Sequence, residues 1–449
     1  MHVRTLTLMK ACVLRKPFLG VIADDYTGAT DIASMLVRGG VATIQTIGIP
    51  SQSLCDSMKA DAVVIALKSR ALPAADAVAQ SLAALSCLRN LGVRQIYFKY
   101  CSTFDSTPAG NIGQVGDALC AALEVSTLIH IPALPVNERS VYQGHLFVGS
   151  TLLHQSGMEN HPLNPMTDAN LVRWLGRQTR RTVGLIGTSV IKKGRADIDT
   201  EIAAFTAGGG GHLIGDTVQD SDLELWAQVL QSAPLVAGSS GLATPLARRY
   251  MAAHQMPAEM AERKAKIPPQ TVRNGHTLIL SGSCSSATLA QIETFRTTGA
   301  HCIQLDPLRL SAEPAILDEV LESTVTGLKN APVLVYASDS LNKVQAAQNA
   351  LGAMAASKLV EQAFVTLAQA AARLPQTGQL IVAGGETSGA VVAALGIAAL
   401  RIGPEIAPGV PWTEALDAQG ALVLSLALKS GNFGGDGFFS QAIELAGRA

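Results

Sequence analysis

The sequence predicts an α/β protein of two domains, each a mainly parallel β-sheet flanked by helices, with a ligand cleft between them. From Leu19 onward, short apolar runs, polar or glycine-rich corners and helix-length stretches rich in Ala and Leu alternate, the pattern of parallel strands joined by crossover helices. At 449 residues the chain exceeds what one compact core holds, since domains average roughly 150 residues. The pattern breaks at MPAEMAERKAKIPPQTVRNG (256–275), where charge and prolines replace apolar periodicity, and then restarts. The expected organisation is an N-terminal extension (1–17), a first domain (18–255), a linker (256–275) and a second domain (276–449).

In the first domain LGVIA (19–23) runs into DDYTGATD, AVVIAL (62–67) into KSR, and QIYF (95–98) into KYCSTFDST. These runs are mostly apolar without alternation, as strands covered on both faces require. TLIHI (127–131), VGLIG (183–187), HLIG (212–215) and PLVAG (234–238) are further strand candidates, and NIGQVGDALCAALE is a helix with Asn111 placed to cap it. In the second domain the corners SGSCSS (281–286), GGETSG (384–389) and LKSGNFGGDGFF (428–439) each follow an apolar run, and PVLVYASDS (332–340) adds another strand. The GGGG run (208–211) reads as a loop.

Composition narrows the function classes. Hydrophobic residues make up 48% and charged residues 15%, enough to fill large cores and unlike a disordered chain. A formal net charge of -1 provides no field for nucleic acid or an anionic membrane, so any anion site must be built locally. The cysteines are scattered with no C-x-x-C pair, which points to reduced thiols in a cytoplasmic setting. No apolar run reaches the roughly 18 residues of a membrane span. Met1–Pro17 lacks the apolar core of a signal peptide, and Met9 is an alternative start. His145, His154 and His161 lack metal-site spacing and Cys284 lacks an identifiable paired histidine, so neither a metal centre nor thiol catalysis is expected.

Ligands of open parallel sheets bind at the carboxyl ends of the strands, so the first three corners should converge. Asp24 and Asp25, adjacent on one strand end, should diverge: one faces the crevice to accept a hydrogen bond from a substrate hydroxyl, and the other is held structurally. The competing reading makes both caps of the following helix. Lys68 and Arg70 from the second corner, with Lys99, Asp105, Ser106 and Thr107 from the third, offer a guanidinium fork and ammonium groups suited to a small carboxylate. As solvated surface charges they would need no ligand. In the second domain, glycine lets backbone approach a phosphate and helix N-termini favour negative charge, so three such corners read as a phosphate cradle. No Walker G-x-x-x-x-G-K-[ST] is present and no G-x-G-x-x-G follows a strand, so neither a P-loop nor a standard dinucleotide fold is indicated.

Together ADDYTGATDIAS (23–34), KSR, KYCSTFDSTPAGNIG (99–113), VYQGHLFVG (141–149), HPLNPMTD (161–168), SGSCSSAT, GGETSGAV and LKSGNFG resemble the four-carbon acid sugar kinase family, and within it the 3-oxotetronate kinase branch, over everything after Pro17. The resemblance implies ATP-dependent phosphorylation of the C4 hydroxyl of a 3-oxotetronate, with the sugar acid on the first domain, ATP on the second and a substrate/nucleotide cleft between. Asp25, Arg70, Thr103, Phe104, Asp105 and Ser106 fall where the family holds its sugar acid, joined on chemical grounds by Asp24 and Lys99. Asp25 is the expected catalytic carboxylate, orienting or deprotonating the hydroxyl. Ser283, Gly384, Gly385, Glu386, Thr387 and Gly431 fall where the family holds ATP, with Ser281 and Ser285 the alternatives to Ser283. Phosphoryl transfer brings Mg2+ with the ATP. Tyr26 stands where the family often has Phe. The expected partners are the sugar acid and ATP, with no nucleic acid or membrane, and a homodimer is left open. The competing functions are a threonate or erythronate kinase of the same family and a two-lobed small-molecule-binding protein.

Overall fold

The computed structural model describes residues 16–160, 164–253, 275–337, 339, 341–431 and 433–447. The expected extension and linker lie outside the described residues except for Lys16, Pro17 and Gly275, as does His161. In chain order the strands are β1 (Leu19–Ala23), β2 (Thr43–Ile47), β3 (Ala62–Ala66), β4 (Gln95–Lys99), β5 (Thr127–Ile131), β6 (Arg139–Tyr142), β7 (His145–Val148), β8 (Thr151–Leu152), β9 (Thr182–Ile186), β10 (Gly211–Gly215), β11 (Leu235–Gly238), β12 (His276–Ser281), β13 (His301–Gln304), β14 (Val333–Tyr336), β15 (Thr377–Ala383), β16 (Ala399–Ala407), β17 (Val410–Leu416) and β18 (Leu422–Lys429). All except β6, β7 and β8, which form a small antiparallel sheet, belong to one sheet ordered β13-β14-β12-β15-β18-β17-β16-β2-β3-β1-β4-β11-β5-β10-β9.

The burial of each strand follows its place in that order. The central β1 and β3 are buried at every residue, because helices cover both faces, whereas the edge strands β9 and β13 are largely half-exposed or exposed. The two expected sheets are therefore joined edge to edge. Antiparallel pairing of Ala399 with Thr46, Leu400 with Gln45 and Arg401 with Ile44 makes the join. On its C-terminal side β17 runs antiparallel to both of its neighbours, β16 and β18, and Pro408–Gly409 turns the β16–β17 hairpin, with Gly409 at φ +78. A buried hydrophobic cluster crosses the join, from Val21 and Ile32 through Leu400 and Ile402 to Leu278 and Leu380.

Register sets the position of the corners. Ala23 at the end of β1 lies opposite Ala66 of β3 and Lys99 of β4, so the chain leaves three neighbouring strands side by side into DDYTG, KSR and YCSTFDS. In the C-terminal half Ser281 of β12 pairs with Ala383 of β15, which pairs with Lys429 of β18, placing the three glycine corners together.

Candidate active site

Arg70 is the hub of the N-terminal corner. Its Nε and Nη2 donate to Asp24 Oδ2 and Oδ1, each at 2.8 Å, and Nη2 also donates to Asp25 Oδ1 at 2.6 Å. Its Nη1 lies 3.8 Å from Asp105 Oδ2. The two aspartates thus converge on one guanidinium instead of diverging. The strand stops at Ala23, and Asp25 takes up the N-cap position of helix α1 (Tyr26–Arg38), where Oδ1 also accepts from the Gly28 N–H at 3.1 Å. The two differ in burial: the Asp24 side chain is 5% exposed and that of Asp25 26%. Burial pushes the Asp25 carboxyl above its ordinary range, against the pull of Arg70 and with the Asp24 charge adding to the push. Arg70 is held above its usual value, since Asp24 and Asp25 outweigh the desolvation that alone would lower it.

Lys99 is 3% exposed, donates from Nζ to the Tyr100 carbonyl at 2.9 Å and lies beside Gly28, where an added Cβ would come within 2.7 Å of Nζ. Lys68, by contrast, is exposed. Thr103 Oγ1 donates to Asp105 Oδ1 at 2.6 Å. Phe104 and Ser106 turn their side chains inward, not to the crevice. Phe104 is buried at φ +55 and packs edge-on against Tyr100, while Ser106 Oγ accepts from Trp174 Nε1 and Gln178 Nε2 and donates to the Phe104 carbonyl. Asn111 does not cap its helix. Its Nδ2 donates instead to the carbonyls of Ser69, Arg70 and Leu72, which fixes the KSR corner against the third. Among the described histidines, His145 Nδ1 pairs with the Gln143 carbonyl and its Nε2 with Asn170.

In the C-terminal half a cavity of about 350 Å³ opens over the glycine corners, lined by Gly282, Ser283, Gly384, Gly385 and Thr387 at one end and by residues such as Val344 and Val360 at the other. The helix Gly385–Ala394 starts here with no side-chain cap, and a Cβ at Gly385 would meet nothing within 4 Å; the first amides of a helix have no acceptor within it and favour negative charge. At the SGSCSS corner Ser285 caps its own helix, Ser286–Thr297, through the Thr288 N–H, and Ser283 Oγ accepts from the Ser285 N–H at 3.3 Å. A Cβ at Gly431 would lie 2.4 Å from Ser283 Oγ, so a larger residue there displaces that hydroxyl. The side chain of Glu386 lies outside what is described.

The two corners face one another. A narrow cleft of about 30 Å³ is lined by Tyr26, Thr27 and Thr30 from α1 and by Gly385, Ser388, Lys429 and Ser430 from the other half. Close by, Ser240 donates to Asp31 Oδ2 at 2.5 Å, burial raises the Asp31 carboxyl, and Arg38 pairs with Glu405 across the halves at 2.6 Å. Sequence reasoning missed Thr27, Thr30, Asp31 and Lys429. The signal available for the first three was their mutual spacing, Thr30 and Asp31 falling three and four residues after Thr27 on one face of the helix, and for Lys429 its position as the last residue of an apolar strand.

Residues 19–246 match a family described as a sugar-binding N-terminal domain, and residues 278–439 one described as a nucleotide-binding C-terminal domain. A Burkholderia multivorans protein named 3-oxo-tetronate kinase is 48% identical over 95% of this chain and 97% of its own length. The chain belongs to the four-carbon acid sugar kinase family. A 3-oxo-tetronate kinase of Cupriavidus necator is also 48% identical, over 96% of this chain and 98% of its own. The crystal structure of a Haemophilus influenzae protein superposes with a TM-score of 0.82 at 41% identity, covering 95% of this chain and 100% of that one. As a four-carbon acid sugar kinase the protein is an enzyme that phosphorylates a hydroxyl, not a two-lobed binding protein. No helix among the described residues is long and apolar enough to cross a membrane.

Proposed function

We propose that the protein transfers the γ-phosphoryl group of ATP to the C4 hydroxyl of a 3-oxotetronate, giving 3-oxotetronate 4-phosphate and ADP. The observation that carries this reading is the narrow cleft in which Thr27 and Thr30, just past Asp25, meet Gly385 and Lys429. Phosphoryl transfer asks for a hydroxyl held in line with the phosphate and charge stabilisation around it, and little covalent work by the protein. Asp25, the more exposed of the two aspartates and raised in pKa by burial, accepts the C4 hydroxyl proton. Asp24 and Arg70 form the platform that holds Asp25. The N–H groups of Arg70 Nη1, which have no hydrogen bond among the described residues, and the Lys99 ammonium draw in the acid's carboxylate, while Thr103 and Asp105 bind its hydroxyl. The nucleotide lies along the 350 Å³ cavity with its phosphates on Ser283, the Gly384–Thr387 helix start and Gly431. The narrow cleft excludes the water that would otherwise take the phosphoryl group.

The donor set fits a magnesium ion carried on the nucleotide more than one caged by the protein, since no three His, Cys, Asp or Glu side chains gather to hold a metal among the described residues and Mg2+ takes much of its shell from phosphate and water. When bound, it neutralises charge on the phosphate oxygens. The test is a coupled ADP-release assay over a panel of four-carbon acids and their 3-oxo forms. Turnover of a 3-oxotetronate well above threonate and erythronate is expected. Preference for the unoxidised acids would reassign the substrate, and no nucleotide consumption with any acid would overturn the reading.

A further inference from the structure

Lys429 is 1% exposed, sits at the end of β18 and carries its charge among groups that do not neutralise it. Its Nζ donates to Thr288 Oγ1 at 3.0 Å, to the Ser430 carbonyl at 3.0 Å and to the Gly431 carbonyl at 2.8 Å. An ammonium has three donors, so all are used. Thr288 Oγ1 donates to the same Gly431 carbonyl at 2.8 Å, and the Phe438 ring lies 5.9 Å from Nζ. No carboxylate among the described residues pairs with it, and burial alone pushes its pKa down to about 8. A buried cation without a counter-charge is costly: it loses its proton more readily, or gains stability from an anion placed beside it. Lys429 also lines the cleft in which the two halves meet.

We propose that Lys429 is a positioning residue for the nucleotide phosphates, holding the Ser430 and Gly431 carbonyls inward so that the Gly431 amide faces the phosphate chain. In a trans peptide the N–H points opposite the preceding C=O, so the grip on the Ser430 carbonyl turns the Gly431 N–H away from the ammonium, and that N–H has no partner among the described residues. The same ammonium holds Thr288, whose N–H is tied to the Ser285 cap, and so locks the SGSCSS corner to the Ser430–Gly431 turn. Its charge acts on the phosphates through space and through this loop, not by direct contact. The inference rests on the reading that nucleotide phosphates bind at these corners.

The test titrates ADP into the full-length protein by calorimetry at pH 9 in two buffers of different ionisation enthalpy. Burial lowers the Lys429 pKa to about 8, so the group is largely deprotonated at pH 9, and a phosphate that restores its charge draws in a proton on binding. The Lys429→Met variant should bind ADP roughly 10- to 100-fold more weakly at pH 7, the range for a lost charge-assisted interaction. It should also show no proton uptake at pH 9. A purely structural lysine would weaken binding without proton linkage. If the wild type binds no ADP, the assignment of the nucleotide site fails and this inference with it. If it binds ADP with no uptake at pH 9, or if Lys429→Met binds as tightly as the wild type, the role of Lys429 alone is overturned. Should the variant not fold, the wild-type proton uptake decides, its presence supporting the role and its absence overturning it.

Discussion

Asn in place of Asp25 separates chemistry from structure at this site. The amide keeps the shape of the side chain, and Asn serves as an N-cap about as well as Asp, so the Gly28 N–H retains an acceptor. Arg70 keeps both bonds to Asp24. The change removes basicity, and the loss of a general base lowers kcat by about 10² to 10⁴. Stability should move the other way or not at all. The folded-state pKa of Asp25 lies above its ordinary value, so the group's favourable contribution to folding is present below that value and lost as pH rises through the raised one. At neutral pH the ionised carboxylate therefore carries a desolvation cost that Asn avoids, and the melting temperature should match or exceed that of the wild type. The assay is coupled ADP release with kcat and KM for both substrates across pH. The wild-type kcat/KM should fall on the acid side at a pH above the ordinary carboxylate range, and Asp25→Asn should lose that limb. Asp24→Asn should lose stability, because one of two buried 2.8 Å bonds to Arg70 then sets an amide N–H against a guanidinium N–H. A folded but inactive Asp24→Asn alongside a near-wild-type Asp25→Asn would reverse the two roles.

Arg70→Ala leaves Asp24 and Asp25 without their shared cation and should cost about 3 kcal/mol in urea unfolding, the scale for breaking a buried pair, so it is no clean probe of substrate binding. Arg70→Lys keeps the charge without the fork and should raise the KM for the acid while leaving that for ATP near its starting value; an equal rise in both would assign Arg70 to the fold or to closure. Gly431→Ala places a Cβ 2.4 Å from Ser283 Oγ and 3.0 Å from Ser285 Oγ, so the serines must turn. Its KM for ATP should rise about tenfold, a cost near 1.4 kcal/mol, with the acid's KM unchanged, and an unchanged KM for ATP would remove Gly431 from the nucleotide site.

The strands legible in the sequence are those whose neighbours cover both faces. LGVIA, AVVIA and QLIVA need no partner chemistry beyond apolar packing, so an apolar run between polar corners reveals them. TIQTI did not read as a strand because it carries a polar residue at a buried position: Gln45 Oε1 accepts from Thr30 Oγ1 of α1 at 2.9 Å, while its Nε2 is buried without a partner among the described residues. The β16–β17 hairpin was hidden by Pro404, Pro408 and Pro411. Prolines argue against a strand unless they fall at a turn or an irregularity, and here Pro408 is in the turn and Pro404 lies within a register shift between Ile402 and Glu405. Since β16 makes the join to β2, missing it also concealed that the two sheets are one.

The site was legible as a set of corners but not as a set of partners. Strand-end charges converge in any open parallel sheet, so Asp24, Arg70, Lys99 and Asp105 could be grouped before their neighbours were known. What each charge holds depends on strand order, which local pattern does not carry. Arg70 reads as a free fork for a ligand until β3 is placed beside β1, where two carboxylates already meet it. Lys68 and Lys429 look alike in sequence, each a lysine closing an apolar run, yet one is exposed and the other buried. Lys68 lies past the end of β3, while Lys429 is still paired, opposite Ala383 of β15, with β17 on the other flank of β18. The charge that matters for an anion is the one the sheet encloses, since a solvated ammonium is screened and a desolvated one is not.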